Sequence, residues 1–328
     1  MLQIAVYARL SWRRALLAPL VGTGLALGLA ACQPDTQMSA VSAEQGKPIH
    51  RYDRLQSVAH NTDRVVAVGA FGVVLTSTDG GQQWRRSELP GAPGLIKVTA
   101  CGNGSFAALD FNGSLWSSDG KAEAWTSATI PANDALLDLT CTADGHLWVV
   151  GARGAILSSA DGGKSWVPKS LDEDIQLLNV QFPTPSFGVI AGEFGRVLVS
   201  VDGGGKWAEA GSLGPDFYPQ AMYFQDDKTG IVVGLGGAVL ETADGGKTWT
   251  RAKAPTEAPL YGVLSDPAGV LVVGAVGTAF HRAGGQWQPV KGLPMTDLRG
   301  LSMTASQILV AGGGSITALP GSTLSGAN

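Results

Sequence analysis

The sequence is poor in charge, in histidine and in cysteine. Only 15% of its 328 residues are Asp, Glu, Lys or Arg, and it has four His and three Cys. No block of like charge or polar low-complexity tract is long enough to predict general disorder. Three of the 23 basic residues precede residue 32, so the remainder carries 20 basic and 27 acidic side chains, a net charge of −7. Because nucleic-acid binding needs clustered positive charge, the sequence argues against a nucleic-acid partner.

Motifs for metal binding, cofactor binding and nucleophilic catalysis are missing as well. The four histidines lie far apart, without the short spacings of metal sites: His50, His60, His146 and His281. Neither a P-loop nor a G-x-S-x-G turn with catalytic partners in order occurs, and the many Gly pairs fall in predicted hairpins. We therefore predict no catalytic residue, no metal and no cofactor.

The first 31 residues are predicted to be a signal peptide. Arg13-Arg14 is followed by an uncharged stretch, residues 15–31, and then by Cys32. Residues 29–32, Leu-Ala-Ala-Cys, resemble the bacterial lipobox, which implies cleavage before Cys32 and lipid attachment there. Gln33 in place of Asp favours the periplasmic side of the outer membrane, and the inner membrane stays possible. An ordinary secretory signal or a transmembrane anchor is the alternative, although 17 residues is short for a span.

A repeat of about 41 residues runs through the rest of the chain. The 46 glycines are about twice the average usage, which suits many short strands joined by tight turns. Six tryptophans recur at 84, 125, 166, 207, 249 and 287, separated by 41, 41, 41, 42 and 38 residues. Each unit holds four strand-like runs separated by turn signals. Four strand-like runs in each of about seven repeats predict an all-β, seven-bladed β-propeller of four-stranded antiparallel blades, with an open solenoid as the alternative.

The repeat also sets the predicted domain boundaries. The last unit supplies three strands, so the N-terminal run Lys47 to Asp53 is predicted to close the last blade as its fourth strand. Four segments follow from these patterns: signal peptide 1–31, lipidated tether 32–46, propeller 47–320 with units ending near 90, 130, 171, 213, 255, 293 and 320, and flexible tail 321–328.

Four units contain the segment S/T-x-D-x-G-x-x-W, which resembles the Asp-box. Its acids and indoles are Asp79, Asp161, Asp202 and Asp244 with Trp84, Trp166, Trp207 and Trp249. We expect each Asp to accept backbone N–H groups within its turn and each Trp to fill the gap between blades. Calcium binding is the alternative, but scattered turns with one acid each make a poor cage.

The longer pattern G-x-x-G-x-[IV]-L-x-[ST]-x-D-G-G-x-x-W, spread over residues 54–319, resembles the photosystem II stability/assembly factor family. The resemblance implies a monomeric, non-enzymatic seven-bladed propeller that helps a membrane protein complex assemble. Photosynthetic members bind their client through an arginine-rich patch. Here only Arg153 and Arg196 lie at or beside the turns between second and third strands. We therefore expect an envelope complex as the client, with an accessory role in an RND-type exporter as one alternative.

Sialidases share the Asp-box and the propeller, so a glycan hydrolase is a second alternative. Such enzymes need three Arg on the substrate carboxylate, a Tyr activated by a Glu, and an acidic Asp. The sequence contains these residue types without an arrangement that stands out from the repeats, and a shared fold does not carry function.

We expect the partner to bind on the face that carries the turns between second and third strands. These turns and the loops between blades vary while the frame repeats, and they offer aromatic and charged side chains typical of an interface. The predicted partner-binding residues are Phe71, Arg153, Glu193, Phe194, Arg196, Phe217 and Tyr218. The alternative is that the aromatic residues plug the channel mouth or pack between blades.

Two cysteines end the first strands of neighbouring units. Aligning the units places Cys101 and Cys141 on strand faces that meet between the second and third blades. A disulfide suits an oxidising periplasm, and two buried free thiols are the alternative.

Overall fold

The computed structural model describes residues 38–252 and 255–323. The predicted signal peptide, Cys32 and residues 324–328 of the predicted tail lie outside this range. Within the predicted tether, Met38–Gln45 forms helix α1, which buries none of its side chains. Among the described residues, no helix is long and apolar enough to cross a membrane. The 3-10 turn Gly321–Thr323 follows the last strand and buries Thr323.

The described residues form seven antiparallel sheets in chain order, which confirms the seven-bladed propeller. Blades one to three comprise β1 Leu55–His60, β2 Val65–Gly69, β3 Val73–Ser77, β4 Arg85–Glu88, β5 Leu95–Ala100, β6 Phe106–Asp110, β7 Ser114–Ser118, β8 Trp125–Thr129, β9 Leu136–Cys141, β10 Leu147–Gly151, β11 Ile156–Ser159 and β12 Val167–Pro168. Blades four to seven comprise β13 Leu177–Gln181, β14 Gly188–Gly192, β15 Val197–Ser200, β16 Ala208–Glu209, β17 Pro219–Phe224, β18 Gly230–Gly234, β19 Val239–Thr242, β20 Thr250–Ala252, β21 Leu260–Asp266, β22 Gly269–Gly274, β23 Ala279–Ala283, β24 Gln286–Pro289, β25 Leu298–Met303, β26 Gln307–Gly312 and β27 Ser315–Pro320.

Burial within a blade follows the position of the strand. The second strand is buried on both faces, as in β2, where all five residues are buried. This burial explains why its sequence is a continuous apolar run rather than an alternating one. The fourth strand is mostly exposed, as in β4. The core therefore lies between the faces of neighbouring blades, where for example Val66 and Val68 of blade one pack with Phe106 of blade two.

The prediction that residues 47–53 close the last blade is wrong. In the described part of the chain the seventh sheet has three strands, β25, β26 and β27. Residues 47–53 form bends and turns instead. The Oδ2 atom of Asp53 accepts the N–H of His50 at 2.8 Å, and the N–H of Asp53 donates to the carbonyl oxygen of His50 at 2.9 Å. Arg86 Nη1 lies 2.8 Å from the same Oδ2, so this carboxylate holds the segment as a turn beside blade one.

The ring closes by contact between blades one and seven rather than by a shared sheet. Leu309 of β26 packs in one cluster with Ala67 and Leu75 of blade one. The N–H of Gly314 donates to the carbonyl oxygen of Asp53 at 2.7 Å, next to an isolated antiparallel bridge between Arg54 and Gly313. The inner strands β1 and β25 therefore lie side by side at the closure, as other neighbouring blades do.

Candidate functional site

Five blades carry the same tight turn between their second and third strands, here named the BC turn. Each is one turn of 3-10 helix: Ala70–Gly72, Ala152–Gly154, Glu193–Gly195, Leu235–Gly237 and Ala275–Gly277. The central residue of each turn has a left-handed backbone conformation, with φ of 60° at Phe71, 55° at Arg153, 58° at Phe194, 63° at Gly236 and 50° at Val276. All BC turns lie on one face of the propeller, named here the upper face.

The central BC residues adopt a conformation that disfavours their side chains. A residue with a Cβ atom loses roughly 1–2 kcal/mol in the left-handed region, and a β-branched residue such as Val276 is least suited to it. Gly236 occupies the same position without this cost. The strained side chains nevertheless point into solvent, since Phe71 is 69%, Phe194 65% and Val276 61% exposed. Strain that serves no internal packing is a reason to look for an external contact.

Blade two presents its aromatic side chain by a different turn. The Oδ1 atom of Asp110 accepts the N–H groups of Asn112 and Ser114, each at 2.9 Å, and Oδ2 accepts the indole N–H of Trp116 at 2.9 Å. This buried carboxylate holds Phe111 at the tip, 72% exposed. Phe111 was missing from the predicted partner-binding residues. The available signal was its position between the second and third strands of its blade, equivalent to that of the other exposed apolar residues.

The charged residues predicted for the site differ in how far their charges are already paired within the protein. Arg153 Nε lies 3.6 Å from Oδ1 of Asp134 and its side chain stays 68% exposed. Arg196 is held between Glu173 and Glu209 in two ion pairs. Glu193 accepts the backbone N–H of Gln176 at 3.0 Å. Arg153 is therefore available to a partner, whereas the charge of Arg196 is already compensated.

The prediction that Phe217 binds a partner is wrong, because its ring is 7% exposed and packs in the core between blades four and five. Its N–H donates to the carbonyl oxygen of Gly214 at 3.1 Å, and this turn directs the ring inward. Tyr218 is half-buried, and its hydroxyl donates to Oε1 of Gln176 at 3.4 Å. Burial, with a smaller effect from the charge of Glu193, raises the pKa of Tyr218.

The central channel encloses about 600 Å³ and is lined by the first strand of every blade. Its charged groups are largely paired or stacked on neighbouring side chains. Lys97 Nζ lies 2.8 Å from Oδ1 of Asp138, whose Oδ2 accepts the N–H of Val180 at 2.9 Å. At another blade, the guanidinium of Arg299 lies 4.1 Å from the ring centroid of Tyr261. The channel wall thus offers few uncompensated charges for chemistry.

The Asp-box turns lie on the opposite, lower face and serve the fold. Oδ1 of Asp79 accepts the N–H groups of Gln83 and Gln82 at 2.9 and 3.0 Å and the hydroxyl of Ser77 at 2.7 Å. These hydrogen bonds lower the pKa of Asp79. At Asp244 the hydrogen bonds from Thr248 and Thr242 lower the pKa to about 2. Among the described residues no cluster of His, Cys, Asp and Glu could hold a metal ion.

The tryptophan of each Asp-box lies against the preceding blade. Trp84 packs with Leu309 of blade seven, and its indole N–H donates to the carbonyl oxygen of Gly81 at 2.9 Å. Trp166 and Trp249 make the same bond at 3.1 and 3.0 Å. Trp207 differs, because its buried indole nitrogen has no hydrogen-bond partner and its ring meets Trp148 edge-on at 5.8 Å.

Cys101 and Cys141 form a disulfide that joins blades two and three, with 5.0 Å between their Cα atoms. Both residues stand at or just after the end of a first strand, on the lower face. The covalent link therefore lies on the face opposite the exposed phenylalanines.

Comparison with known proteins agrees with this architecture. Residues 117–215 match the profile of the family described as "Photosynthesis system II assembly factor YCF48". No curated protein matches the chain. The solved structure of YCF48 from Cyanidioschyzon merolae is 15% identical, with a TM-score of 0.66 over 81% of this chain and 94% of that one. A structure of YCF48 bound to D1 peptide is 18% identical, with a TM-score of 0.67 over 83% of this chain and 92% of that one.

A streptogramin B lyase structure is 11% identical, with a TM-score of 0.72 over 84% of this chain and 95% of that one. At such identities the structural likeness shows the fold alone. The profile match confirms the resemblance to the photosystem II assembly factors over residues 117–215.

Proposed function

We propose that this protein is a non-enzymatic, lipid-anchored scaffold on the periplasmic side of the outer membrane that helps a membrane protein complex assemble. A subunit of that complex would bind the upper face. The observation that carries the proposal is the series of exposed apolar side chains at equivalent turns, Phe71, Phe111, Phe194 and Val276. The profile match to an assembly factor family and the likeness to YCF48 bound to D1 peptide support it.

The energetics of the upper face fit a binding role. Burying one phenylalanine against a partner contributes roughly 1.5–3 kcal/mol, and a few aromatic anchors usually dominate an interface. Because the BC turns are fixed by backbone hydrogen bonds, such as that from the N–H of Gly72 to the carbonyl oxygen of Pro93 at 2.6 Å, the anchors are preorganised. The propeller therefore loses little conformational entropy when a partner binds to these turns.

Crosslinking in intact cells followed by mass spectrometry tests the proposal and identifies the client. We expect the triple variant Phe71→Ala, Phe111→Ala, Phe194→Ala to lose the crosslinked client while its thermal stability is retained. The control variant carries Val167→Ala and Val201→Ala, which truncate side chains that are 57% and 77% exposed away from the upper face. If the triple variant captures the client as well as the control does, the upper face is not the binding site.

The same experiments separate the alternatives. Recovery of an RND-type protein as the client would place the propeller in an exporter, and turnover of a fluorogenic sialoside would identify a glycan hydrolase. The anchor is tested by Cys32→Ser, which should move the protein from the membrane fraction to the soluble fraction.

A further inference from the structure

The exposed apolar residues of the upper face are bordered on one side by acids that form no ion pair with a described residue. In the loop between β12 and β13, Asp172 and Asp174 are exposed, as is Asp216 in the loop between β16 and β17. Glu257 is exposed in the loop between β20 and β21. None of these four carboxylates forms an ion pair with a described residue.

Three of these acids lie in the loops on either side of blade four, which carries Phe194: Asp172 and Asp174 in the loop before it and Asp216 in the loop after it. The BC turn of blade four begins with Glu193, which faces the loop of Asp172 and Asp174, because Glu193 accepts the N–H of Gln176 at 3.0 Å. Two bases lie near this sector. Arg196 is held between Glu173 and Glu209, and Arg153, on the neighbouring BC turn of blade three, pairs with Asp134. The sector around Phe194 is therefore apolar at its centre and negatively charged at its edge.

We infer that the segment bound by the upper face is a protein segment that carries Lys or Arg next to apolar side chains. This inference rests on the proposed function and specifies its partner. Uncompensated like charges on one surface repel one another, and a positively charged partner relieves this repulsion and is steered toward the site. An acidic segment would be repelled by the same carboxylates. The aromatic anchors supply contact area and the carboxylates select the charge of the partner.

Fluorescence anisotropy with two labelled peptides tests this inference. One peptide alternates Lys with Phe and Leu, and the other has Glu in place of every Lys. In about 50 mM salt the Lys peptide should bind at least about tenfold more tightly, and the preference should shrink in about 500 mM salt because screening shortens the range of surface charges. Equal binding of the two peptides would overturn the inference.

The charge variant is Asp172→Asn, Asp174→Asn, Asp216→Asn. Asn suits position 172, where φ is 56°. The matched control neutralises three acids of the lower face by Asp63→Asn, Glu123→Gln, Asp227→Asn, so that both variants have the same net charge. We expect only the upper-face variant to lose the preference for the Lys peptide. An equal loss in the control would mean that total charge, not this sector, attracts the peptide, and would overturn the inference.

The triple phenylalanine variant distinguishes the two proposals. If it loses both peptides while the charge variant binds as the wild type does, the upper face is the binding site and the charge inference fails. If the triple variant binds the Lys peptide as tightly as the wild type does, the apolar anchors have no role in binding. In that case both the proposed function and the charge inference fail.

Discussion

His60 and Ser302, 242 residues apart, are joined by a hydrogen bond of 2.8 Å between Nδ1 and Oγ. The bond links the first strand of blade one to the first strand of blade seven across the ring closure. Both residues line the channel, and burial lowers the pKa of His60. This makes the closure sensitive to acid, because protonation of the imidazole is favoured in the unfolded chain over the folded one.

The first prediction concerns this histidine. Since the pKa of His60 is lowered by folding, the stability it contributes is present above about pH 6.5 and is lost as the pH falls through the folded value. Urea unfolding at about pH 7.5 and about pH 5 should show this loss, and His60→Gln should reduce it. Ser302→Ala is the control, because it removes the hydrogen bond and keeps the half-buried imidazole, whose burial lowers the pKa of His60. A full acid loss in His60→Gln would contradict the prediction.

The second prediction concerns the Asp-box carboxylates at lower pH. Hydrogen bonds lower the pKa of Asp244 to about 2, so its stabilising effect is present above the ordinary Asp value near 3.8 and decreases as the pH falls toward 2. Circular dichroism during acid titration should show that Asp244→Asn is less stable at neutral pH and less sensitive to this range. Asp227→Asn, at an exposed hairpin, should follow the wild-type curve. Identical titration curves for Asp244→Asn and the wild type would show that protonation of Asp244 does not cause the loss of stability in acid.

The third prediction concerns the disulfide between blades two and three. Closing a loop with a sequence separation of 40 residues stabilises by about 4 kcal/mol in the chain-entropy model. The variant Cys101→Ser, Cys141→Ser should therefore unfold at lower denaturant concentration, and dithiothreitol should destabilise the wild type but leave the variant unchanged. An effect of the reductant on the double variant would show that it acts elsewhere.

The fourth prediction tests strain in the BC turns. Val276→Gly removes a left-handed β-branched residue, and the gain is partly offset by the entropy of glycine in the unfolded chain, leaving a stabilisation of about 0.5–1 kcal/mol. Gly236→Val should cost about 0.5–1 kcal/mol for the reciprocal reason. Denaturant midpoints of the two variants provide the measurement. A loss of stability in Val276→Gly would mean that this side chain packs in the fold rather than being held for an external contact.

The architecture was predictable because one pattern is repeated around the ring. The recurrent Trp and Asp-box determine the unit, and the continuous apolar run of residues such as 65–69 determines the buried second strand. The closure was not predictable in the same way. The run 47–53 is predicted to be a strand because the last unit supplies only three, but the carboxylate of Asp53, bonded to His50 and Arg86, holds it as a turn.

The candidate site was predictable in position and only partly in detail. The BC turns of Phe71 and Phe194 could be recognised from flanking glycines, and both rings are exposed. Phe217 was misassigned because a Gly-Pro-Asp turn conceals which way the next side chain points. The ion pairs of Arg196 join residues from separate loops, so no local pattern reveals that its charge is compensated.

Every sheet in the described part of the chain is built from strands that follow one another directly in sequence. Each blade can therefore complete its hydrogen-bonded ladder before the next emerges during synthesis, which keeps the contact order of the sheets low. Cutting the chain in a loop between blades and joining its ends would leave every ladder intact. In the native chain order, the packing of blade one on blade seven is the step that must wait for distant residues to meet.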